Sequence, residues 1–119
     1  MLARTVGRLT TRAAFSSLQR ARARGSAGPV RVAFVPVEPD LPGVFPQVGY
    51  AIGRRCGNAL TRNRLRRRAR EVVRAEAPAL PRGRYLVRLE PGANTVSPAE
   101  LRSDVATALH RAGRGAAAG

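Results

Sequence analysis

The residues of this chain that are best able to do chemistry form a run of arginines. The stretch GNALTRNRLRRRARE, residues 57–71, holds six arginines in fifteen positions, and Glu71 is its one acid. Guanidinium groups make bidentate hydrogen bonds to phosphates and stack on bases. The run therefore indicates a surface that binds a polyanion.

Groups that could carry out a reaction are sparse. The chain has one cysteine, Cys56, and one histidine, His110, so it can form neither an internal disulfide nor an ordinary zinc site. We interpret Cys56 as a small semi-buried thiol and His110 as an imidazole on a helix surface. The sequence offers no Ser/His/Asp set and no cluster of carboxylates. We therefore predict no catalytic residue and no metal ligand in the protein itself.

The overall charge favours a nucleic acid as the partner. The 119 residues include 22 basic residues, all of them arginine, and seven acids, which gives a net charge of +15. One small domain with this charge repels itself, so a polyanion should lie against it. No apolar run approaches the roughly 18 residues of a membrane span. Binding to a membrane surface is disfavoured because the apolar stripe of the predicted arginine helix offers only one Leu and two Val as bulky apolar side chains. For the complete absence of lysine, genome composition alone is the favoured explanation.

Three strands are predicted from alternating apolar residues, over PVRVAFVP, QVGYAIG and RYLVRLE. The second strand presents only Gly49, Ala51 and Gly53 on one face, so either a ligand or a packed helix can approach its backbone closely. A loop with four prolines separates it from the first strand. The residues of the first strand that share a face are Val30, Val32 and Phe34, against Arg31, Ala33 and Val35.

The arginine run lies on a predicted helix with two faces. A disordered basic arm would lack an apolar stripe, and a solvated surface helix would interleave acids to limit repulsion. From Asn58 onward the apolar stripe is Leu65, Ala69, Val72 and Val73. The residues that project away from this stripe, at about 100° per residue, are Asn63, Arg66, Arg67, Arg70 and Arg74.

Two further helices complete the pattern. The first covers residues 13–24. The last begins at Ser97, whose capping box with Glu100 is the clearest helix start in the chain, and it ends at Gly113.

The order of these elements predicts an α+β fold. Helix, strand, strand, helix, strand, helix describes a small single-domain sandwich of two layers, in which helices cover a central sheet of three to four strands. The domain spans residues 1–119, with a core over about 8–112 and a flexible tail over 113–119.

The arginine face is poorly suited to reading a DNA sequence. Recognition helices of helix-turn-helix domains carry Asn, Gln or Ser among their charges, and Asn63 is the only such residue inside the run. A face of guanidinium groups instead recognises phosphate backbones and RNA shape. We therefore predict that the partner is RNA and not DNA.

The motifs resemble those of the bacterial ribonuclease P protein component. RNRLRRRARE, residues 62–71, is similar to the family signature R-N-R-x-[KR]-R-x-x-R-E. VGYAIGRRCGNAL before it resembles V-G-x-x-V-S-[KR]-K-x-G-N-A-V. RLTTRAAF matches R-L-x-x-x-x-x-F, with Arg8, Leu9 and Phe15 in register. The resemblance extends from Arg8 to about Arg111.

The resemblance implies a subunit of a cytoplasmic ribonucleoprotein endonuclease that removes the 5′ leader from precursor tRNA. In this family the RNA subunit is the catalyst and holds the magnesium ions. The implied partners are the ribonuclease P RNA and precursor tRNA, with no membrane and no DNA. The implied fold is like the second domain of ribosomal protein S5, with a left-handed crossover between parallel strands that breaks the usual right-handed rule.

The resemblance also suggests which residues bind RNA. Phe15 would lie in a cleft between the first helix and the sheet that accepts the single-stranded leader, with Phe34 as a second wall, because aromatic faces stack on any base. Core packing is the alternative for both rings and for Tyr50, and it is favoured for Phe34 and Tyr50. Gly57 would form a tight turn before the helix. The set predicted to bind RNA is Arg54, Arg55, Asn58, Arg62, Asn63, Arg64, Arg66, Arg67, Arg70 and Arg74.

The chain departs from the family pattern outside the arginine motif. Gly53 stands where the family usually has serine, Gln19 lies where many members place a second aromatic, and Glu90 lies where a basic residue is common.

Two alternatives remain open. The first is a small ribosomal or RNA-chaperone protein with the same fold and no role in cleavage. The second is a mitochondrial protein that loses about 25 residues, since residues 1–37 contain no acid and have the composition of a transit peptide. The register of Phe15 with the family motif disfavours this second alternative.

Overall fold

The computed structural model describes residues 6–9 and 11–118, which form five strands and three helices. The strands are β1 (Gly7–Arg8), β2 (Ala23–Ala27), β3 (Val30–Pro36), β4 (Gln47–Ile52) and β5 (Gly83–Leu89). The helices are α1 (Arg12–Gln19), α2 (Ala59–Glu76) and α3 (Pro98–Ala118). Two 3-10 turns, Arg54–Cys56 and Ala77–Ala79, flank α2.

The strands form one mixed sheet in the order β1-β4-β5-β3-β2. β4 is parallel to both β1 and β5, whereas β3 is antiparallel to β5 and to β2. The chain therefore leaves β4, passes through α2 and returns as the parallel neighbour β5. The arginine run lies on the crossover between the two central parallel strands.

Helices cover both faces of the sheet. Val32, Phe34 and Tyr85 belong to a core cluster that packs against α2 and α3, and the rings of Phe34 and Tyr85 have centroids 4.4 Å apart. Ala33 and Leu86 point the other way and pack with Leu18 of α1. We call this second side the open face, because the short helix α1 covers only part of it.

The predicted sheet of three to four strands in two layers is wrong in two respects. The sheet has five strands, and α1 adds a third layer on the open face. The predicted helix over residues 13–24 ends at Gln19, and Ala23–Ala27 form β2 instead. Small residues of β2 face α3 closely: a Cβ on Gly25 would lie 2.5 Å from the backbone nitrogen of Ala112.

The capping box of α3 is confirmed, but its predicted end is wrong. Ser97 Oγ accepts a hydrogen bond from the Glu100 nitrogen at 3.1 Å, and Glu100 Oε1 accepts from the Ser97 nitrogen at 3.4 Å. The helix then runs through Gly113 to Ala118, because the small glycine is buried against Pro81. Helix therefore occupies most of the segment predicted as a flexible tail, and Gly119 lies outside the described residues.

A single arginine holds the proline-rich loop between β3 and β4. Arg82 Nη1 donates to the carbonyls of Glu38 at 2.7 Å and Pro39 at 2.9 Å, and its Nη2 donates to the carbonyl of Leu41. The same guanidinium lies 4.5 Å from the ring centroid of Phe45. Arg82 thus fixes a loop that has no regular structure of its own.

The N-terminal segment is part of the packed domain from α1 onward. Leu18 is fully buried and Ala21 is nearly so, which means that loss of the first 25 residues would open the core beneath the open face. Residues 1–5 of the segment that resembles a transit peptide lie outside the described residues. Among the residues that the structure describes, no helix is long and apolar enough to cross a membrane.

Candidate nucleic-acid interface

The arginine helix α2 begins at a well-defined cap. Asn58 is the N-cap residue, and its Oδ1 accepts a hydrogen bond from the Thr61 nitrogen at 2.9 Å. Gly57 before it has a φ of +130°, a conformation that favours glycine, and a Cβ there would lie 2.9 Å from Thr61 Cγ2. The predicted tight turn before the helix is therefore confirmed, and the oxygen of Asn58 serves the helix itself.

The two predicted faces of α2 are also observed. Its buried residues are Leu65, Ala69, Val72 and Val73. Arg66 is half-buried on the flank of the helix, as are Arg62 and Arg68. The exposed residues of the opposite side are Asn63, Arg64, Arg67, Arg70 and Arg74.

Some of these side chains are held in place by local contacts. Arg62 Nε donates to the carbonyl of Gly57 at 3.2 Å, and Arg66 Nη1 donates to Asn63 Oδ1 at 3.1 Å. Arg70 lies 5.7 Å from the ring centroid of Tyr50, within the range of a cation–π contact. The surface is therefore partly ordered before any ligand binds.

No arginine among the described residues has a carboxylate oxygen within 4.0 Å. The single close pair of acidic and basic groups there is Glu76 Oε1 with His110 Nε2, 2.6 Å apart, which joins α2 to α3. The positive charges of α2 are thus left for an external anion. Such an anion would also relieve their mutual repulsion.

Arg54 and Arg55 extend the exposed arginine side of α2 toward the sheet, and we call the two together the arginine surface. Both are exposed on the 3-10 turn between β4 and α2. They line a cavity of about 520 Å³ at the ends of β4 and β5, which Arg88 and Glu90 also border. We call it the strand-end cavity. The acid at position 90 places one negative charge beside three guanidinium groups.

Phe15 of α1 lies on the open face and packs against β4. Its half-buried ring covers Gly49 of β4 so closely that a Cβ there would lie 3.0 Å from the ring atoms Cε1 and Cζ. The small face of this strand therefore accommodates α1 and the residues before it. Phe15 as a whole remains partly exposed.

Phe34 does not line the predicted cleft, and its prediction as a second wall is wrong. It is 1% exposed and packs in the cluster beneath α2 and α3. Alternation along β3 puts Phe34 on the opposite side of the sheet from Ala33, which faces α1. Core packing, the favoured alternative for Phe34, is confirmed. Tyr50 likewise packs against this cluster, although it is only partly buried.

The ionisable groups beneath the arginine surface stay protonated at neutral pH. Burial raises the pKa of Tyr50 to about 12, against the opposing effect of the Arg70 and Arg74 charges. Burial also raises the pKa of Cys56, whose thiol donates to the carbonyl of Leu89 at 3.3 Å. A fully buried neutral thiol is a poor nucleophile, so Cys56 has a structural role. Residues 6–9 and 11–118 contain no group of three His, Cys, Asp or Glu side chains placed to hold a metal ion.

Sequence reasoning missed a second group of arginines on the open face. Arg24, Arg31 and Arg88 come from three neighbouring strands and line one cavity of about 620 Å³. The sequence did contain a signal for two of them, because Arg31 and Arg88 alternate with buried apolar residues along β3 and β5. Arg24 could not be placed, since its strand was predicted as a helix.

Comparison with known proteins identifies the family. A sequence model of the Ribonuclease P family matches residues 4–113. The ribonuclease P protein component of Acidothermus cellulolyticus is 40% identical over 92 residues, which cover 76% of this chain and 75% of the relative. That of Symbiobacterium thermophilum is 39% identical over 107 residues, which cover 89% and 90%.

Solved structures have the same fold at lower identity. The ribonuclease P protein of Staphylococcus aureus superposes with a TM-score of 0.74 at 18% identity, over 94% of this chain and 93% of that one. The protein of Thermotoga maritima gives a TM-score of 0.69 at 23% identity, over 87% and 96%. With the family match over nearly the whole described domain, these findings show that the chain belongs to the ribonuclease P protein family.

Proposed function

We propose that this chain acts as the protein subunit of ribonuclease P, the endoribonuclease that forms the mature 5′ end of tRNA. Membership of the family and the curated relatives support this role. The RNA subunit carries out hydrolysis and holds the magnesium ions, whereas the protein binds and orients. Its partners are the ribonuclease P RNA and precursor tRNA in the cytoplasm, and neither a membrane nor DNA takes part.

The observation that carries the RNA-binding assignment is the exposed arginine face of α2 without acidic partners. Its apolar side is buried in the core, so the charged side stands on a rigid support. The 3-10 turn before it continues the surface, and we propose that the crossover through α2 is left-handed, as the family resemblance implies. The residues that bind the catalytic RNA are Arg54, Arg55, Asn58, Arg62, Asn63, Arg64, Arg66, Arg67, Arg70 and Arg74.

The 5′ leader is proposed to cross the open face beside Phe15. This ring is half-buried, so it is held in place by the core and still offers a surface for stacking. Base stacking on an aromatic ring contributes about 1 to 3 kcal/mol and accepts any sequence. Because Gln19 replaces a second aromatic, Phe15 is the one aromatic wall that we assign to the leader.

Cleavage of a precursor tRNA by the ribonuclease P RNA at low magnesium, with and without this protein, tests the proposal. We expect a large increase in the cleavage rate with the protein. Arg64→Ala combined with Arg67→Ala should weaken binding to the catalytic RNA and reduce the log–log salt slope by about 1.8, from about 0.9 per phosphate contact. The matched control is Arg102→Ala with Arg114→Ala, which removes the same charge from exposed positions of α3.

The Phe15→Ala variant separates the two proposed surfaces. We expect it to weaken binding of precursor tRNA to the holoenzyme while the affinity for the catalytic RNA stays at the wild-type value. If the wild-type protein binds RNA in a salt-dependent manner but does not raise the cleavage rate, the subunit role is refuted. The chain would then be a general RNA-binding or RNA-chaperone protein.

A further inference from the structure

One large apolar side chain is exposed within the arginine surface. Leu60, in the first turn of α2, is 59% exposed. The other large apolar residue of the described chain that is exposed is Val44, at 39%, in the loop before β4. At about 100° per residue, Leu60 lies about 180° from the buried Ala69 but only about 20° from the exposed Arg67. Leu60 therefore projects from the middle of the arginine side of the helix, directly opposite the core.

The fold does not use this side chain. Leu60 belongs to neither of the two core clusters among the described residues. The first turn of α2 is fixed instead by the cap of Asn58 on the Thr61 nitrogen and by the hydrogen bond from Arg62 Nε to the carbonyl of Gly57. Single exposed leucines are common on protein surfaces. What distinguishes Leu60 is its place on an ordered turn in the middle of a surface that binds a polyanion.

The surroundings of Leu60 restrict the class of partner. Arg64 and Arg67 follow it on the same side of α2, and Arg54 and Arg55 lie at the strand-end cavity on the turn before the helix. No described carboxylate offsets these charges within 4.0 Å, so the partner has to bring negative charge together with an apolar surface. A membrane would require several bulky apolar side chains beside the charges, and the exposed side of α2 has this one. RNA meets both requirements.

Within an RNA, unpaired nucleotides are the ones that offer an extended apolar surface. In an A-form helix the bases are stacked on each other, and the outside consists of phosphates, riboses and 2′-hydroxyls. In loops and bulges the base faces are open, and protein side chains pack on them. A leucine on a base face removes apolar area from water, whereas a leucine against a phosphate would only desolvate a charge. Leu60 therefore indicates irregular RNA at the first turn of α2.

We propose that Leu60 packs on the base face of an unpaired nucleotide of the catalytic RNA, while the arginines around it bind the flanking phosphates. This inference rests on the proposed function, since the RNA is that of ribonuclease P. Phosphate contacts carry no information on sequence or position, so arginines alone allow the helix to slide along a backbone. An apolar contact that requires an open base fixes where α2 is seated.

The test measures the dissociation constants of the wild type and Leu60→Ala for the ribonuclease P RNA at several salt concentrations, and for a fully paired RNA duplex. We expect Leu60→Ala to weaken binding to the catalytic RNA about tenfold, the effect of losing most of a buried leucine contact. Its log–log salt slope should stay at the wild-type value, whereas Arg64→Ala should lower the slope by about 0.9. For the duplex, Leu60→Ala and the wild type should bind equally.

A second readout locates the contact on the RNA. In 2′-hydroxyl acylation of the complex, the wild-type protein should restrain an unpaired nucleotide that Leu60→Ala leaves reactive. Leu60→Met restores an apolar side chain and should regain most of the affinity. The matched control is Val44→Ala, which removes an exposed apolar side chain at the opposite end of β4 and should bind the catalytic RNA as the wild type does. Urea unfolding of Leu60→Ala should match the wild type, because the side chain is not part of the core.

Three outcomes overturn the inference: a wild-type affinity of Leu60→Ala for the catalytic RNA, an equal loss on the duplex, or a change confined to self-association of the free protein. The last would mean that a second copy of the chain covers Leu60. If the wild-type protein raises the cleavage rate and Leu60→Ala keeps its affinity, this inference alone fails. If the wild-type protein does not raise the cleavage rate, the proposed function fails and the inference fails with it.

Discussion

A close approach of helix backbone to β2 makes Gly25→Ala a sensitive test of how α3 packs on this strand. A Cβ at this position would meet the carbonyl oxygen of Ala108 and lie 2.5 Å from the nitrogen of Ala112. Ordinary contact begins near 3.4 Å, so the Ala112 nitrogen alone requires α3 to move outward by at least about 0.9 Å, which is 3.4 minus 2.5. Both atoms belong to helix backbone and cannot rotate aside.

The expected cost follows from that displacement. Overpacking of a well-packed core costs about 1 to 3 kcal/mol, and a clash with backbone lies at the upper end. Replacing glycine also restricts the unfolded chain, which offsets about 0.4 to 1 kcal/mol. We therefore expect Gly25→Ala to lower the free energy of unfolding by about 2 kcal/mol, measured by urea titration.

Gly53→Ala is the matched control, because a Cβ at Gly53 has no heavy atom within 4 Å and the residue has a φ of −71°. The same substitution there should leave the stability unchanged or raise it slightly. If Gly25→Ala proves no more destabilising than Gly53→Ala, the inferred close packing of α3 on β2 is refuted. A loss for both variants would point to a general effect of alanine instead.

Three further predictions concern single contacts. Asn58→Ala removes the oxygen that caps α2, so the free energy of unfolding in urea should fall by about 1 kcal/mol. Arg82→Ala releases three loop carbonyls, so the Leu41 amide, which donates to one of the same carbonyls, should exchange with deuterated solvent about tenfold faster. Alkaline pH should destabilise the fold, because burial raises the pKa of Tyr50 to about 12. The phenol ionises more readily in the unfolded chain, so its contribution is fully present below pH 10 and is lost as the pH rises through 12.

Each of these predictions has a conservative control. Asn58→Asp keeps the capping oxygen and should match the wild type, so a loss in both variants would contradict the cap. Arg82→Lys keeps the charge without the fork and should give intermediate exchange, whereas equal exchange in all three proteins would show that the loop is held otherwise. Tyr50→Phe should reduce the alkaline decline in stability without abolishing it, because burial also raises the pKa of Tyr85 and of Cys56, and an identical pH profile would rule out Tyr50 as a source.

The elements that the sequence predicted correctly are those with a strong local period. Leu65 and Val73 recur at helical spacing, and alternation identifies β3 and β5, so the arginine helix and its neighbours could be found without a structure. β2 could not, because its inward residues are as small as Ala23 and Gly25 and are buried only through contact with α3. Local periodicity cannot reveal a contact with a helix that is so distant in the sequence.

The residues of the candidate site also fall into those that a local period predicts and those that depend on distant packing. The exposed arginines of α2 follow from one helical wheel, whereas the leader cleft depends on which face of the sheet α1 covers. Phe34 shows the difference: its alternation with Ala33 is visible in the sequence, but only the packing of Leu18 on Ala33 decides which of the two faces the cleft. Arg24 was missed for a similar reason, because its orientation exists only once β2 pairs with β3.

The absence of acidic partners around the described arginines links folding to assembly. Added salt screens the repulsion within the free chain and should stabilise it, while the same salt weakens its hold on RNA. Because RNA binds the folded chain, binding shifts the folding equilibrium toward the folded state. We therefore expect the chain to be at its least stable when it is made in excess over its RNA, so that surplus copies are the ones exposed to proteolysis.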